Sequence, residues 1–149
     1  MVARSTDSVV EFAPDETIAV DSAPIIYYLE DHAQFAERYA ALFEAADAGQ
    51  IQIVISTIAI AEVLAGPLMH GNEILAARYR EALTAAPYWT VLDVDTDVAE
   101  QAARLRVRYK IRLPDAIQIA TALRANADRF VTHDRRLQRV KELRVVGLS

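Results

Sequence analysis

The strongest constraint on the fold of this chain is its rhythm. Short apolar, β-branched segments alternate with longer stretches of helical period. Thr17–Val20, Ile51–Ser56, Trp89–Val94, Arg129–Thr132 and Leu143–Val146 read as strands. Between them, helical patterns run over Ala23–Glu30, Phe35–Ala48, Thr57 to about Gly66-Pro67, Glu73–Ala85, Thr96–Tyr109 and Pro114–Arg124, with a last helical turn over Arg135–Val140. Thr96 reads as the cap of its helix, and Pro114 suits a first turn, where its missing N–H is not needed. Strands that alternate with helices, and that are apolar throughout, imply a mostly parallel sheet covered on both faces. The expectation is an α/β sandwich over residues 17–149, preceded by a loose, polar extension over residues 1–16. At 149 residues there is room for one domain, and no repeat or linker divides the chain.

Composition narrows the chemistry. With no cysteine, a disulfide framework, a thiolate metal site and a cysteine nucleophile are excluded. His32, His70 and His133 lack zinc-site spacing. No run approaches the ~20 apolar residues of a membrane span, and the N-terminal stretch has no signal-peptide pattern, so a cytoplasmic protein is expected. The net charge of −5 hides an asymmetry: residues 1–100 carry 17 acids and 4 bases, residues 101–149 carry 4 acids and 12 bases. The basic third is compatible with a polyanionic partner.

In a parallel sheet, sites form beyond the carboxyl ends of the strands. Asp21 and Asp134 each stand just past such an end. Glu62 is the one charge between Gln52 and His70, within an apolar helix. Asp115 follows Pro114 at the start of Ala116-Ile117-Gln118-Ile119-Ala120. Taken singly, three of these acids suit helix caps or first turns. Taken together, all four lie on the same side of such a sheet, and if they converge their mutual repulsion is large. Two carboxylates about 5 Å apart, at an effective dielectric near 20, repel by about 3 kcal/mol. Four need a cation to stay ionised, and oxygen-only ligation points to Mg²⁺ or Mn²⁺ and to metal-assisted attack of water on a phosphodiester.

Four short motifs now stand in order: Val20-Asp21-Ser22; Glu62-Val63-Leu64-Ala65-Gly66; Leu113-Pro114-Asp115 running on to Ala122; and Val131-Thr132-His133-Asp134. Together they resemble the acidic motifs of PIN-domain nucleases, and in length and spacing the VapC-type toxins of toxin–antitoxin pairs. The resemblance spans about residues 17–149. It implies a five-stranded parallel sheet between helices and a Mg²⁺- or Mn²⁺-dependent endonuclease acting on single-stranded RNA. It also implies a homodimer inhibited by a cognate antitoxin. Asp21, Glu62, Asp115 and Asp134 would form the acidic quartet, catalytic and metal-holding, with Ser22 and Thr132 orienting ligands or waters. His133 stands where the family often has a small polar residue; contact with phosphate and a plain loop role are both open to it.

Other features yield less. Asp93-Val94-Asp95-Thr96-Asp97 begins like a calcium loop, but Val98 takes the glycine position and Arg104 the closing glutamate, so a strand end and a helix cap account for it. No phosphate-cradling glycine loop or nucleophile elbow is present. Arg135, Arg136 and Arg139 follow Asp134 directly and suit an RNA backbone or the carboxylates of an antitoxin equally well. Tyr27, Tyr28, Phe35 and Tyr39 are expected in the core or at a dimer contact. The competing reading of the whole chain is a non-catalytic PIN-like protein-binding module in which the acids are structural caps.

Overall fold

The computed structural model describes residues 12–148. In chain order it contains β1 (Thr17–Val20), α1 (Ser22–Leu29), α2 (Ala36–Asp47), β2 (Gln52–Ser56), α3 (Thr57–Met69), α4 (Glu73–Thr84), β3 (Trp89–Leu92), α5 (Thr96–Tyr109), α6 (Leu113–Arg124), β4 (Arg129–Thr132), a 3₁₀ turn (Arg135–Arg139) and β5 (Arg144–Gly147). The five strands form one sheet in the order β3-β2-β1-β4-β5. Every pairing is parallel. The expected α/β sandwich with a parallel five-stranded sheet is therefore the observed architecture.

Strand period decides the layers. Successive side chains of a strand point to opposite faces. Ile18 and Val20 enter one core with Tyr39, Leu42 and Phe43 of α2, Val63 of α3 and Leu83 of α4. Ala19 between them enters a second core with Val98, Ala102 and Leu105 of α5 and Ile119 of α6. In β4, Phe130 joins the second core and Val131 the first. Helices α1 to α4 thus cover one face and α5 and α6 the other, which is why the strands carry no polar alternation.

Most boundaries shift by a residue from the sequence reading, and three of the departures bear on the fold. Helix α3 does not stop at Gly66-Pro67 but runs to Met69, with the buried Pro67 in its last turn. The proline costs one helical N–H, yet its own carbonyl accepts from His70 and Asn72, and Gly71 at φ 67° turns the chain away. Helix α5 is capped by Asp95, whose side chain accepts from the Val98 amide at 2.8 Å, and Thr96 is its first residue. Strand β3 ends at Leu92, short of Val94. The proposed extension falls partly outside the described residues. Its last part, residues 12–16, is bonded to the body: Asp15 donates to the Gln50 carbonyl, Glu16 accepts from the Gln52 amide, and Glu16 receives Arg129 at 2.6 Å.

Sheet order turns back on itself between β1 and β4. From β1 the chain works outward through β2 to β3, then returns to the other side for β4 and β5. The crevice at the carboxyl ends of β1 and β4 is the topological switch point, where open parallel sheets place their ligands. Behind it, β5 packs tightly under the 3₁₀ turn: a Cβ on Gly147 would lie 2.7 Å from the Arg135 Cα, which is backbone and cannot swing aside. Gly147→Ala is expected to cost roughly 1–3 kcal/mol in urea unfolding, as overpacking does.

Candidate active site

Each acid is delivered to the crevice by a different element. Asp21 follows β1, and its amide still donates to the Val131 carbonyl of β4 at 2.9 Å. This holds the residue across the β1–β4 seam. Its Oδ1 caps α1 by accepting from the Ser22 amide at 2.8 Å, and its Oδ2 accepts from the Thr132 hydroxyl at 2.8 Å. Glu62 lies on the second turn of α3, and its Oε1 accepts from the Ser22 hydroxyl at 2.9 Å and from the Gln118 amide nitrogen at 3.3 Å. Asp115 lies in the first turn of α6, where the helix dipole favours an acid. Asp134 follows β4, caps the 3₁₀ turn through the Arg136 amide, and has its own amide bonded to the Thr132 hydroxyl.

All four of these acids line one cleft of about 310 Å³, together with Ser22, Thr132 and His133. The residues picked from the sequence therefore come together. Ser22 and Thr132, expected beside the acids, bond directly to Glu62 and Asp21. Three participants were not anticipated. Gln118 is buried in α6 and turns its amide toward Glu62. A polar residue between Ile117 and Ile119, three places from Asp115, was the available signal. Arg112 is one of the many bases of the C-terminal third and nothing in the sequence singled it out, but its Nε lies 3.2 Å from Asp115. Tyr39, a core residue by sequence, places its hydroxyl 2.6 Å from His133 Nδ1.

The electrostatics follow from burial. Asp21 is only 8% exposed, and loss of water pushes its carboxyl up to about 6. The hydrogen bonds from Thr132 and Ser22 work against that rise, while the charges of Asp115 and Glu62 add to it. Asp134 moves the other way: the exposed Arg136 guanidinium, 2.9 Å from Oδ2, holds its carboxyl below the usual range. Burial, together with the nearby Arg38 and His32, lowers the His133 imidazole below its ordinary value.

Oxygen donors dominate the cleft, and an all-carboxylate set of this kind fits a hard divalent cation better than a soft one. As the side chains lie, no three acidic or histidine groups among the described residues are gathered tightly enough to hold one ion. Arg112 and Arg136 engage Asp115 and Asp134 instead, so two guanidiniums supply positive charge where the acids crowd. Beside the cleft a second hollow of about 440 Å³ shares Arg112, Asp115, Asp134 and Arg136 and extends to Lys110 and Arg139. Of the three arginines singled out in sequence, Arg136 thus lies at the acids, Arg139 donates to the Tyr109 carbonyl at 2.7 Å, and Arg135 opens the 3₁₀ turn at the surface.

Comparison with known proteins agrees with this fold. The family model described as PIN domain matches residues 18–143. Among solved structures, a VapBC2 complex from Rickettsia felis bound to a promoter DNA fragment superposes with a TM-score of 0.70 at 18% identity, covering 88% of this chain and 98% of that one. A toxin–antitoxin complex from Klebsiella pneumoniae gives 0.65 at 25% identity, covering 89% and 98%. The toxin VapC20 from Mycobacterium tuberculosis, described as cleaving the sarcin–ricin loop, gives 0.62 at 14% identity, covering 76% and 86%. No curated protein sequence matches the chain.

The Asp21 shift has a defined sign. An acid whose folded pKa is raised stabilises the fold only while protonated; here that contribution is complete below 3.8 and is lost as pH rises to about 6. Above that range the ionised, buried carboxylate costs on the order of 3 kcal/mol. Asp21→Asn is therefore expected to melt several degrees above the wild type at about pH 8, with the gap closing below about pH 4. Thermal unfolding across pH, without divalent metal, checks it.

Proposed function

The chain belongs to the PIN domain family, and on that premise we propose that it is a divalent-metal-dependent endoribonuclease. Its substrate would be single-stranded RNA, and its setting the toxin of a type II toxin–antitoxin pair in the cytoplasm. A homodimer neutralised by a cognate antitoxin completes the proposal. The observation that carries it is the convergence of Asp21, Glu62, Asp115 and Asp134 on one cleft at the switch point, with Asp21 buried at an energetic cost. A fold retains such a cost where function needs it. The similar structures, among them a toxin–antitoxin complex and a toxin described as cleaving the sarcin–ricin loop, support the same reading. Among the described residues no helix is long and apolar enough to cross a membrane.

Asp21, Glu62, Asp115 and Asp134 would hold Mg²⁺ or Mn²⁺. When bound, such a cation supplies Lewis acidity toward water and the phosphodiester. The chain's own groups do the rest. Thr132 and the Ser22 amide fix both Asp21 oxygens, so the carboxylate enters the cleft in one orientation. Ser22 and Gln118 fix Glu62 from two helices. Arg112 and Arg136 pair with Asp115 and Asp134. With those carboxylates holding a cation, the two guanidiniums would be free to turn to the hollow beside the cleft, where with Arg139 they would grip the phosphate backbone or the carboxylates of an antitoxin.

Purified protein should cut a mixed single-stranded RNA pool with Mg²⁺ or Mn²⁺ and stop with EDTA. Asp21→Asn and Asp115→Asn should each lose more than about a hundredfold while remaining folded. Thr132→Val, which keeps shape and removes the hydroxyl, should lose about ten- to a hundredfold, as residues that orient metal ligands do. Mn²⁺ titration by calorimetry separates a missing substrate from a missing site: wild type should bind and Asp21→Asn should not. A folded protein that neither cuts RNA nor binds Mn²⁺ would instead be a protein-binding module.

A further inference from the structure

His133 sits between two residues of the acidic site, Thr132 and Asp134, and lines the same cleft. Its ring is boxed in. Tyr27 lies edge-on with centroids 4.9 Å apart, Phe35 at 4.5 Å, and the Tyr39 hydroxyl 2.6 Å from Nδ1. Tyr39 is fully buried, and its hydroxyl has no other hydrogen-bond partner among the described residues. A buried hydroxyl that keeps its proton to itself costs about 1–3 kcal/mol, so the O–H donates to Nδ1. That choice decides the tautomer: Nδ1 accepts, and the imidazole proton sits on Nε2. Nε2 has no partner of its own among the described residues. A half-buried ring N–H on the side away from the Tyr39 bond, without an acceptor among the described residues and on a residue that lines the cleft, is a donor open to a ligand.

We propose that His133 is a substrate-contacting residue that gives its Nε2–H to a non-bridging phosphate oxygen of the bound RNA strand, with Tyr39 as the residue that positions it. This rests on the ribonuclease reading above. A neutral donor suits the place. Four carboxylates already crowd the cleft, and a phosphate oxygen entering it needs a partner that does not itself seek those carboxylates, as Arg112 and Arg136 do.

Nitrogen NMR tests this directly, because the chain has 3 histidines and each can be assigned by substitution. In the wild type at neutral pH, His133 should show a protonated Nε2 and a bare Nδ1. Short single-stranded RNA added in EDTA, where hydrolysis is absent, should shift the His133 Nε2 resonance and leave His70 still. Tyr39→Phe, which keeps the ring and removes the hydroxyl, should mix the two tautomers and raise KM for RNA with kcat little changed. His133→Leu should raise KM about tenfold, the loss of one hydrogen bond to a charged group, and His133→Asn, which keeps an N–H, should recover most of it. Should His133→Leu fail to fold, His133→Ala against His133→Asn makes the same comparison. A proton found on Nδ1, or an Nε2 unmoved by RNA that demonstrably binds, overturns the proposal, as does an Asn variant no better than Leu or Ala. RNA that the wild type neither binds nor, with Mg²⁺ or Mn²⁺, cuts overturns the ribonuclease reading first.

Discussion

Four carboxylates drawn to one crevice repel, and much of the local structure here answers that repulsion. The key contact is the hydrogen bond from Thr132 to Asp21 across the seam between β1 and β4. It joins two strands on opposite sides of the turn-back in sheet order and gives the buried Asp21 carboxylate a donor where little water reaches it. The same Thr132 hydroxyl accepts from the Asp134 amide. One oxygen therefore sets the placement of two acids, and a β-branched threonine suits a buried strand end as well as it suits this pairing.

The remaining acids are managed by position. Asp115 occupies the N-terminal turn of α6, where partial positive charge is free of cost. Glu62 lies deeper along α3 and depends on side-chain donors from α1 and α6. Those helices belong to different layers of the sandwich, so the site forms only once both cores have closed on the sheet. The geometry of the candidate site thus depends on tertiary packing, with little of it carried by any single segment.

How much of this could be read from the chain alone depended on distance along it. Strand and helix alternation, the parallel sheet and the four acids were legible because each is written in local pattern: apolar period, a charge inside an apolar run, an acid after a strand. The end of α3 was misread because proline at a helix end is decided by what its carbonyl and the following Gly71 do next, not by the proline itself. The cap of α5 was misplaced by one residue because Asp95 and Thr96 are both good caps, and only backbone angles separate them. Arg112, Gln118 and Tyr39 escaped for a different reason. Each acts through a partner set by side-chain direction, and no periodicity records which way a guanidinium, an amide or a phenol turns.

The clasp at the other end of β4 bears on how this molecule can be dissected. Arg129 is 7% exposed, pairs with Glu16 at 2.6 Å and lies over the Phe12 ring at 5.5 Å. The segment read from sequence as a loose extension thus supplies a carboxylate and an aromatic face to a cation buried at the base of the strand that carries Thr132. Trimming the chain at residue 17 would remove both from that guanidinium. The boundary of the smallest sound fragment lies upstream of Phe12, on the side of the sheet farthest from the chemistry.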